Sequence, residues 1–310
     1  MGGSLAHGTG GAIAPAVKTM PDFVGIGAAK SGTSALFRYL REHPQIFMPE
    51  RKEIRFFAYD DGPEAEEWMA RFGGDHFEVR TLPDYQAMFA QADPGLVWGE
   101  ISPIYLESRS APARIRALAP QARILASLRN PVHRAFSGYV MQVRAGREHR
   151  AMEDAFDPDA HYVQAGYYHD RIKRYLDLFP REQVLIFPYE AFARDNQAVL
   201  SRVFGFLGVD PDFRPDLARK HNVSSFPRSR TINRLIENRV TREVLRPAMP
   251  GWARRLARAA KRRNLGAAPK ITPELHDRLL RLYRDDIERL EGLTGLDLSL
   301  WKAGPDRTAP

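Results

Sequence analysis

The sequence predicts an α/β protein, a single domain whose central parallel β-sheet is flanked by helices. Three observations carry that expectation. Short apolar runs recur at FVGIG (23–27), LVWG (96–99), RILASL (123–128) and VLIFP (184–188), with the length and composition of buried strands. Stretches of helical period separate them, the alternation expected of crossover units on a parallel sheet. The first run ends in a small-residue turn that feeds a helix, which is where such folds place an anion.

The turn and its helix read GIGAAKSGTSALFRYLREH (25–43). Helical spacing returns in PEAEEWMARF (63–72), ARIRAL, HRAFSGYVMQVRAG, YYHDRIKRYLDLF and NQAVLSRVFGFLG. The chain closes on PELHDRLLRLYRDDIERLEGL, with Thr272 as the expected N-cap and Pro273 at the first helical position. No linker composition divides the chain and no repeat is visible. The expected organisation is a tail over 1–20, one domain over 21–302 with a basic insertion at 226–270, and a short tail over 303–310.

Composition narrows the function. The chain has 310 residues, 44% hydrophobic and 27% charged, as an ordinary globular protein does. It has no cysteine, which excludes disulfides, thiolate metal sites and cysteine nucleophiles. No apolar run is long enough for a membrane-spanning helix. The Gly- and Ala-rich start lacks the basic and apolar parts of a signal peptide, so the cytoplasm is the expected compartment. The net charge of +8 is concentrated. Between Phe226 and Lys270 thirteen Lys and Arg stand against two Glu, whereas the rest of the chain carries 33 basic and 36 acidic residues. This points to a local anion site, an anionic surface or a solvated helical face, and away from a generally nucleic-acid-like surface.

The turn Lys30-Ser31-Gly32-Thr33-Ser34 has the chemistry of a phosphate loop. Backbone amides converge at a helix start, and the helix dipole adds positive potential there. Gly32 allows close approach, Thr33 and Ser34 bring hydroxyls, and Lys30 a full charge. A triphosphate loop would place glycine before its lysine, but position 29 is alanine. A triphosphate site also wants an Asp ending a later strand to hold Mg²⁺. Here the later strands run into Gly99-Glu100, Arg129-Asn130 and Pro188-Tyr189-Glu190. Arg129 offers a second cationic contact, which suits a nucleotide with separated phosphates. The residues alone leave a metal-dependent kinase and a non-enzymatic polyanion-binding module open beside that reading.

The stretch RILASLRNPVHRAFSGYVMQ (123–142) adds a strand, Arg129, an Asn-Pro helix start and Ser137 two turns on. Together with the first loop it resembles the sulfotransferases that use 3′-phosphoadenosine 5′-phosphosulfate (PAPS), closest in pattern to the heparan-sulfate and related carbohydrate branch. GEISPIYL (99–106) and YYHDRIKRYLDLFPREQVLIFPYEAF (167–192) extend the resemblance, which covers most of the chain from Phe23 to Trp301. The resemblance implies the sulfotransferase fold and PAPS as donor, with 3′,5′-bisphosphoadenosine (PAP) as product and no required metal. It implies that residues 30–34 hold the 5′-phosphosulfate, that Arg129 and Ser137 hold the 3′-phosphate, and that Lys30 stabilises the leaving phosphate. It makes Glu53, in ERKEIRFFAYD (50–60), the base that deprotonates an acceptor hydroxyl or amine, plausibly on a sugar or glycoconjugate. Phe56 and Phe57 are expected in the core. Arg228 and Arg230, in the late loop HNVSSFPRSRTINRL (221–235), are implied as further 3′-phosphate contacts. Two positions depart from the branch: Ile101 stands where a lysine is common and Arg55 where a histidine is common. Both belong to the acceptor side, so Arg55 and Glu100 are the expected acceptor contacts, with Glu100 also a second base, and the acceptor's identity stays open.

Overall fold

The computed structural model describes residues 18–72, 76–217, 225–227, 229, 249–252, 255–256, 259 and 263–304. Most of the basic segment, including Arg228 and Arg230, and most of both expected tails lie outside the described residues.

Five strands, β1 (Phe23–Gly27), β2 (Ile46–Phe47), β3 (Val97–Ile101), β4 (Arg123–Leu128) and β5 (Val184–Pro188), form one sheet in the order β2-β3-β1-β4-β5. Every pairing in it is parallel. Four of these strands are the apolar runs of the sequence. The two-residue edge strand β2 is too short to leave a period. A small antiparallel pair, β6 (Ser225–Pro227) and β7 (Leu265–Ala267), lies apart from the sheet.

The sheet is buried on both faces, so its strands read as nearly unbroken hydrophobic runs. Period-two alternation sorts those side chains into two layers. Phe23, Ile101, Leu125, Leu185 and Phe187 face one layer, built with Leu36 and Leu40 of α1 (Thr33–Glu42). Leu200, Val203 and Phe204 of a later helix, Asn196–Leu207, complete it. Val24, Ile26, Ile124, Ala126, Val184 and Ile186 face the other layer. There they meet α2 (Ala111–Leu118), α3 (Pro131–Arg144), α4 (His169–Leu176) and the closing helix α5 (Pro273–Thr294). Phe56 and Phe57 are fully in this second core, at 2% and 0% exposure.

The helix starts obey local chemistry. Asn130 caps α3, its side chain accepting from the amides of Val132 and His133, and Pro131 takes the first position, where no amide is needed. Thr272 caps α5 through the Leu275 amide, again followed by proline. No helix among the described residues is long and apolar enough to cross a membrane.

The chain builds leftward from β1 through β3 and then switches to β4 on the other side. Ligands of open α/β sheets sit beyond the carboxyl ends of the strands at such a switch point. The carboxyl ends of β1, β3 and β4 converge there, bringing together the residues after Gly27, Ile101 and Leu128.

Candidate active site

The turn after β1 is built by spending its carbonyls on the protein. The Ala28 carbonyl accepts from the Ser31 amide at 3.3 Å. The Ala29 carbonyl accepts from Arg134 Nε at 3.2 Å, and that of Lys30 from Arg129 Nη1 at 3.3 Å. The Ser31 carbonyl takes the Ser127 hydroxyl at 2.7 Å, and that of Gly32 the amides of Ala35 and Leu36. Among the described residues nothing accepts from the amides of Lys30, Gly32, Thr33 or Ser34. Five carbonyls engaged and four amides open make a concave surface of donors at a helix N-terminus, the geometry of an anion cradle. The buried Ser31 hydroxyl also has no partner among the described residues.

Gly32 is required there. Its φ is 77°, and a Cβ would come within 2.8 Å of the Tyr189 ring. Tyr189 in turn lies under the Arg129 guanidinium, whose carbon stands 5.0 Å from the ring centroid. Arg129 Nε is buried without a partner among the described residues. The end of β4 that carries Arg129 is fixed from three sides. The Tyr168 hydroxyl donates to the Arg129 carbonyl at 2.9 Å, the Asn130 amide donates to Glu190 at 2.9 Å, and Trp301 Nε1 donates to the other Glu190 oxygen at 3.0 Å.

Positive charge accumulates around the cradle. Burial lowers the Lys30 ammonium to about 8, and the nearby charges of Arg129, Arg134, Arg144 and Lys52 push in the same direction. So many cations around a half-buried lysine stabilise an anion more than they stabilise one another. Ser137 lies half-buried on α3, one and two turns from Arg134 and Asn130 on the same stripe. Phe226 of β6 meets Tyr139 of that helix at 6.5 Å between ring centroids. The start of the late loop therefore packs on the helix that carries Ser137.

Glu53 sits on a separate turn, tied to the sheet by its amide, which donates to the Ile101 carbonyl at 3.1 Å. Its carboxylate is paired with Lys52 Nζ at 2.8 Å and Arg55 Nη2 at 2.9 Å. Burial pushes its proton affinity up, but Lys52 and Arg55 outweigh that and hold it below the usual carboxylate range. Lys52 touches Glu53, and the Ile101 carbonyl that holds the Glu53 amide ends β3, the strand paired in parallel with β1, so the Glu53 turn lies at the same edge of the sheet as the loop. Arg55 reaches on to His76, whose Nδ1 is 3.1 Å from Nη1 and whose ring stacks on Trp68 at 6.1 Å. Burial and the Arg55 charge lower the His76 imidazole to about 4.

Glu100 differs from its expected role as an acceptor contact. It is 1% exposed, and three protein hydroxyls occupy its two oxygens: Tyr105 at 2.6 Å, Ser102 at 2.7 Å and Tyr85 at 3.2 Å. It has no open face toward an acceptor in this structure, because burial demands that each of its oxygens be paired.

The structure thus groups Lys30, Ser31, Gly32, Thr33, Ser34 and Arg129 at the cradle, with Glu53 and Arg55 beside it. Sequence reasoning missed Arg134, which sits one turn after the Asn130 cap, and Lys52, hidden in a mixed charge run. His76 reaches the site from a distant segment and left no local signal.

A doubly wound parallel sheet with open backbone amides, a lysine and an arginine at its switch point defines an α/β protein with the geometry of an anion site. The model of the sulfotransferase family matches residues 21–214, and the chain belongs to that family. It is 30% identical over 214 residues to the bifunctional heparan sulfate N-deacetylase/N-sulfotransferase 4 of Mus musculus, a match covering 63% of this chain and 23% of that protein. It is 28% identical over 203 residues to the human heparan sulfate glucosamine 3-O-sulfotransferase 3B1, covering 62% of this chain and 47% of the relative. The matches thus span less than half the length of these relatives. Among solved structures, a sulfotransferase from Alicyclobacillus acidocaldarius superposes with a TM-score of 0.68 at 31% identity, covering 92% of this chain and 99% of that one.

Proposed function

We propose that this chain transfers a sulfuryl group from PAPS to a hydroxyl or amine of a sugar or glycoconjugate. The observation that carries the proposal is the cradle itself, in which the carbonyls of residues 28–32 are engaged and four amides stand open beneath Lys30 and Arg129. The orphaned Ser31 hydroxyl and Arg129 Nε fit a donor with two separated phosphates. Family membership and the relatives' names support sulfuryl transfer, with heparan sulfate as the chemistry shared by the curated matches.

In this reading the acceptor oxygen or nitrogen attacks sulfur in line with the bond to the 5′-phosphate. A new bond to sulfur forms, the S–O bond to the phosphate breaks, and the acceptor proton passes to Glu53. Lys30 and the open amides of the cradle meet the charge that grows on the leaving phosphate, which is preorganised electrostatic stabilisation. Arg129 and Ser137 hold the 3′-phosphate and fix the donor's register, so that attack is nearly intramolecular. Glu53 stays ionised at neutral pH because Lys52 and Arg55 hold it so. A positioned base of this kind contributes roughly 10²–10⁴-fold.

The test is transfer of labelled sulfate from PAPS to desulfated heparan sulfate and to simple amino sugars, with chelator present. The proposal expects labelled product and its loss on Lys30→Ala and on Glu53→Gln. Labelling that persists undiminished in both variants would refute the assigned roles.

A further inference from the structure

Glu100 is a buried carboxylate at the end of β3 that the proposed chemistry does not use. We propose that it is a positioning residue for the proposed transfer: it fixes which way two hydroxyls point, and through them holds the turn that presents Glu53. The inference rests on Glu53 being the base.

Hydrogen-bond polarity sets the arrangement around Glu100. Ser102 has a single hydroxyl proton, and it goes to Glu100 Oε2 at 2.7 Å. The oxygen's lone pairs are then left to accept the Arg55 amide, at 3.0 Å. Tyr105 repeats the device: its proton goes to Glu100 Oε1 at 2.6 Å, and its oxygen accepts the Phe57 amide at 3.4 Å. Tyr85 donates a third time, at 3.2 Å. An ionised carboxylate is acceptor-only, so all three hydroxyls can point inward at once without conflict. A neutral acid or an amide at this place must donate to one of them. A Ser102 or Tyr105 hydroxyl that receives such a proton loses the acceptor for its own and becomes a buried donor, which disturbs the orientation in which its oxygen met the backbone N–H.

What the two amides hold is a strained turn. Glu53 and Arg55 have φ of 64° and 65°, the left-handed region that residues with a Cβ avoid. Such conformations persist only where the surroundings over-determine them. The Glu53 amide on the Ile101 carbonyl, the Arg55 amide on Ser102 and the Phe57 amide on Tyr105 provide that determination. Two of the three depend on Glu100.

The groups facing Glu100 are Tyr85, Tyr105 and Ser102, with Glu53 acting through space; Lys52 and Arg55 pair Glu53, and His76 lies behind Arg55. Burial raises Glu100 to about 7 against the pull of its three hydroxyl donors. Glu53 is held low and His76 lies near 4, so neither supplies an acid limb near neutrality.

The experiment combines amide hydrogen exchange with kinetics on the full chain, using Glu100→Gln and, should that variant fold poorly, Ser102→Ala. Exchange protection should fall in Glu100→Gln at Arg55 or at Phe57, according to which hydroxyl the amide nitrogen faces, and at Arg55 in Ser102→Ala. Transfer to desulfated heparan sulfate as probe acceptor should lose about 10–100-fold in kcat, the scale of a small misplacement of a reacting group. Affinity for 3′,5′-bisphosphoadenosine should stay within about 2-fold, because the cradle is untouched. The acid limb of kcat/KM near pH 7 should vanish in Glu100→Gln. Protection of Arg55 and Phe57 equal to wild type in both variants would overturn the proposal, as would an unchanged acid limb. Lost protection with an unchanged rate would instead overturn Glu53 as the base.

Discussion

Substituting Gly32 by alanine probes both halves of the anion site at once. The new Cβ sits at φ 77°, and the left-handed region costs a residue with a Cβ about 1–2 kcal/mol. It also meets two atoms of the Tyr189 ring at 2.8 Å, closer than real Cβ atoms come. Moving a packed ring to relieve such overlap costs about 1–3 kcal/mol. The sum, about 2–5 kcal/mol, corresponds to a fall in Tm of roughly 5–15 °C for a domain of this size. The displaced ring is the one beneath the Arg129 guanidinium, so the proposed second phosphate contact moves with it. Differential scanning fluorimetry and calorimetric titration with 3′,5′-bisphosphoadenosine read the two effects. Affinity should weaken by about 10-fold or more, as when a charge-assisted hydrogen bond is lost. Gly205→Ala is the control: it lies in the helix Asn196–Leu207 with nothing within 4 Å of a new Cβ, and should stabilise by about 0.5–1 kcal/mol. If Gly32→Ala behaved like that control in both assays, the coupling of the loop to Arg129 through Tyr189 would be wrong.

Four further outcomes are expected. Lys30→Ala should lower kcat by about 10²–10³-fold, the cost of removing one preorganised donor from a developing charge, read in steady-state transfer assays. Arg129→Ala should weaken bisphosphate binding by about 10–100-fold while leaving the fold intact by circular dichroism. Lys30 must carry its proton, so bisphosphate affinity should decline as pH rises through about 8, where burial and Arg129 have brought that group. In Arg129→Ala this alkaline limb should move upward, because one of the opposing charges is gone. The Glu100 carboxyl rises from 4.5 to about 7 on folding, so the native state binds the extra proton and stability falls as pH climbs through that window. Glu100→Gln should flatten that fall in Tm-versus-pH curves.

Much of this was written in local sequence, and the physical reason is plain for each part. A parallel strand buried on both faces must be apolar throughout, so FVGIG, RILASL and VLIFP mark β1, β4 and β5 with their observed bounds. Helix caps are equally local: Thr272 and Asn130 announce themselves by chemistry that satisfies amides one turn away. The cradle was legible as a Gly/Ser/Thr turn with a lysine, since backbone amides at a helix start need small neighbours. What sequence could not express is pairing across distance. Nothing in EISPIYL says that Glu100 is enclosed by Tyr85 as well as by its own neighbours Ser102 and Tyr105. Its charge suggested a surface role that burial removes. His76 reaches Arg55 only because the intervening chain folds back, and Arg134 supports the Ala29 carbonyl from another strand–helix unit. Arg228 and Arg230 fall outside the described residues and rest on the resemblance alone.

The proposed function requires that the loop after β1 and the arginine after β4 form one site for a nucleotide with separated phosphates. Isothermal titration with 3′,5′-bisphosphoadenosine in the presence of chelator tests it most directly. Saturable one-to-one binding that weakens in Arg129→Ala and in Lys30→Ala is expected. No binding of the bisphosphate, together with Mg²⁺-dependent binding of ATP that ignores Arg129, would contradict it.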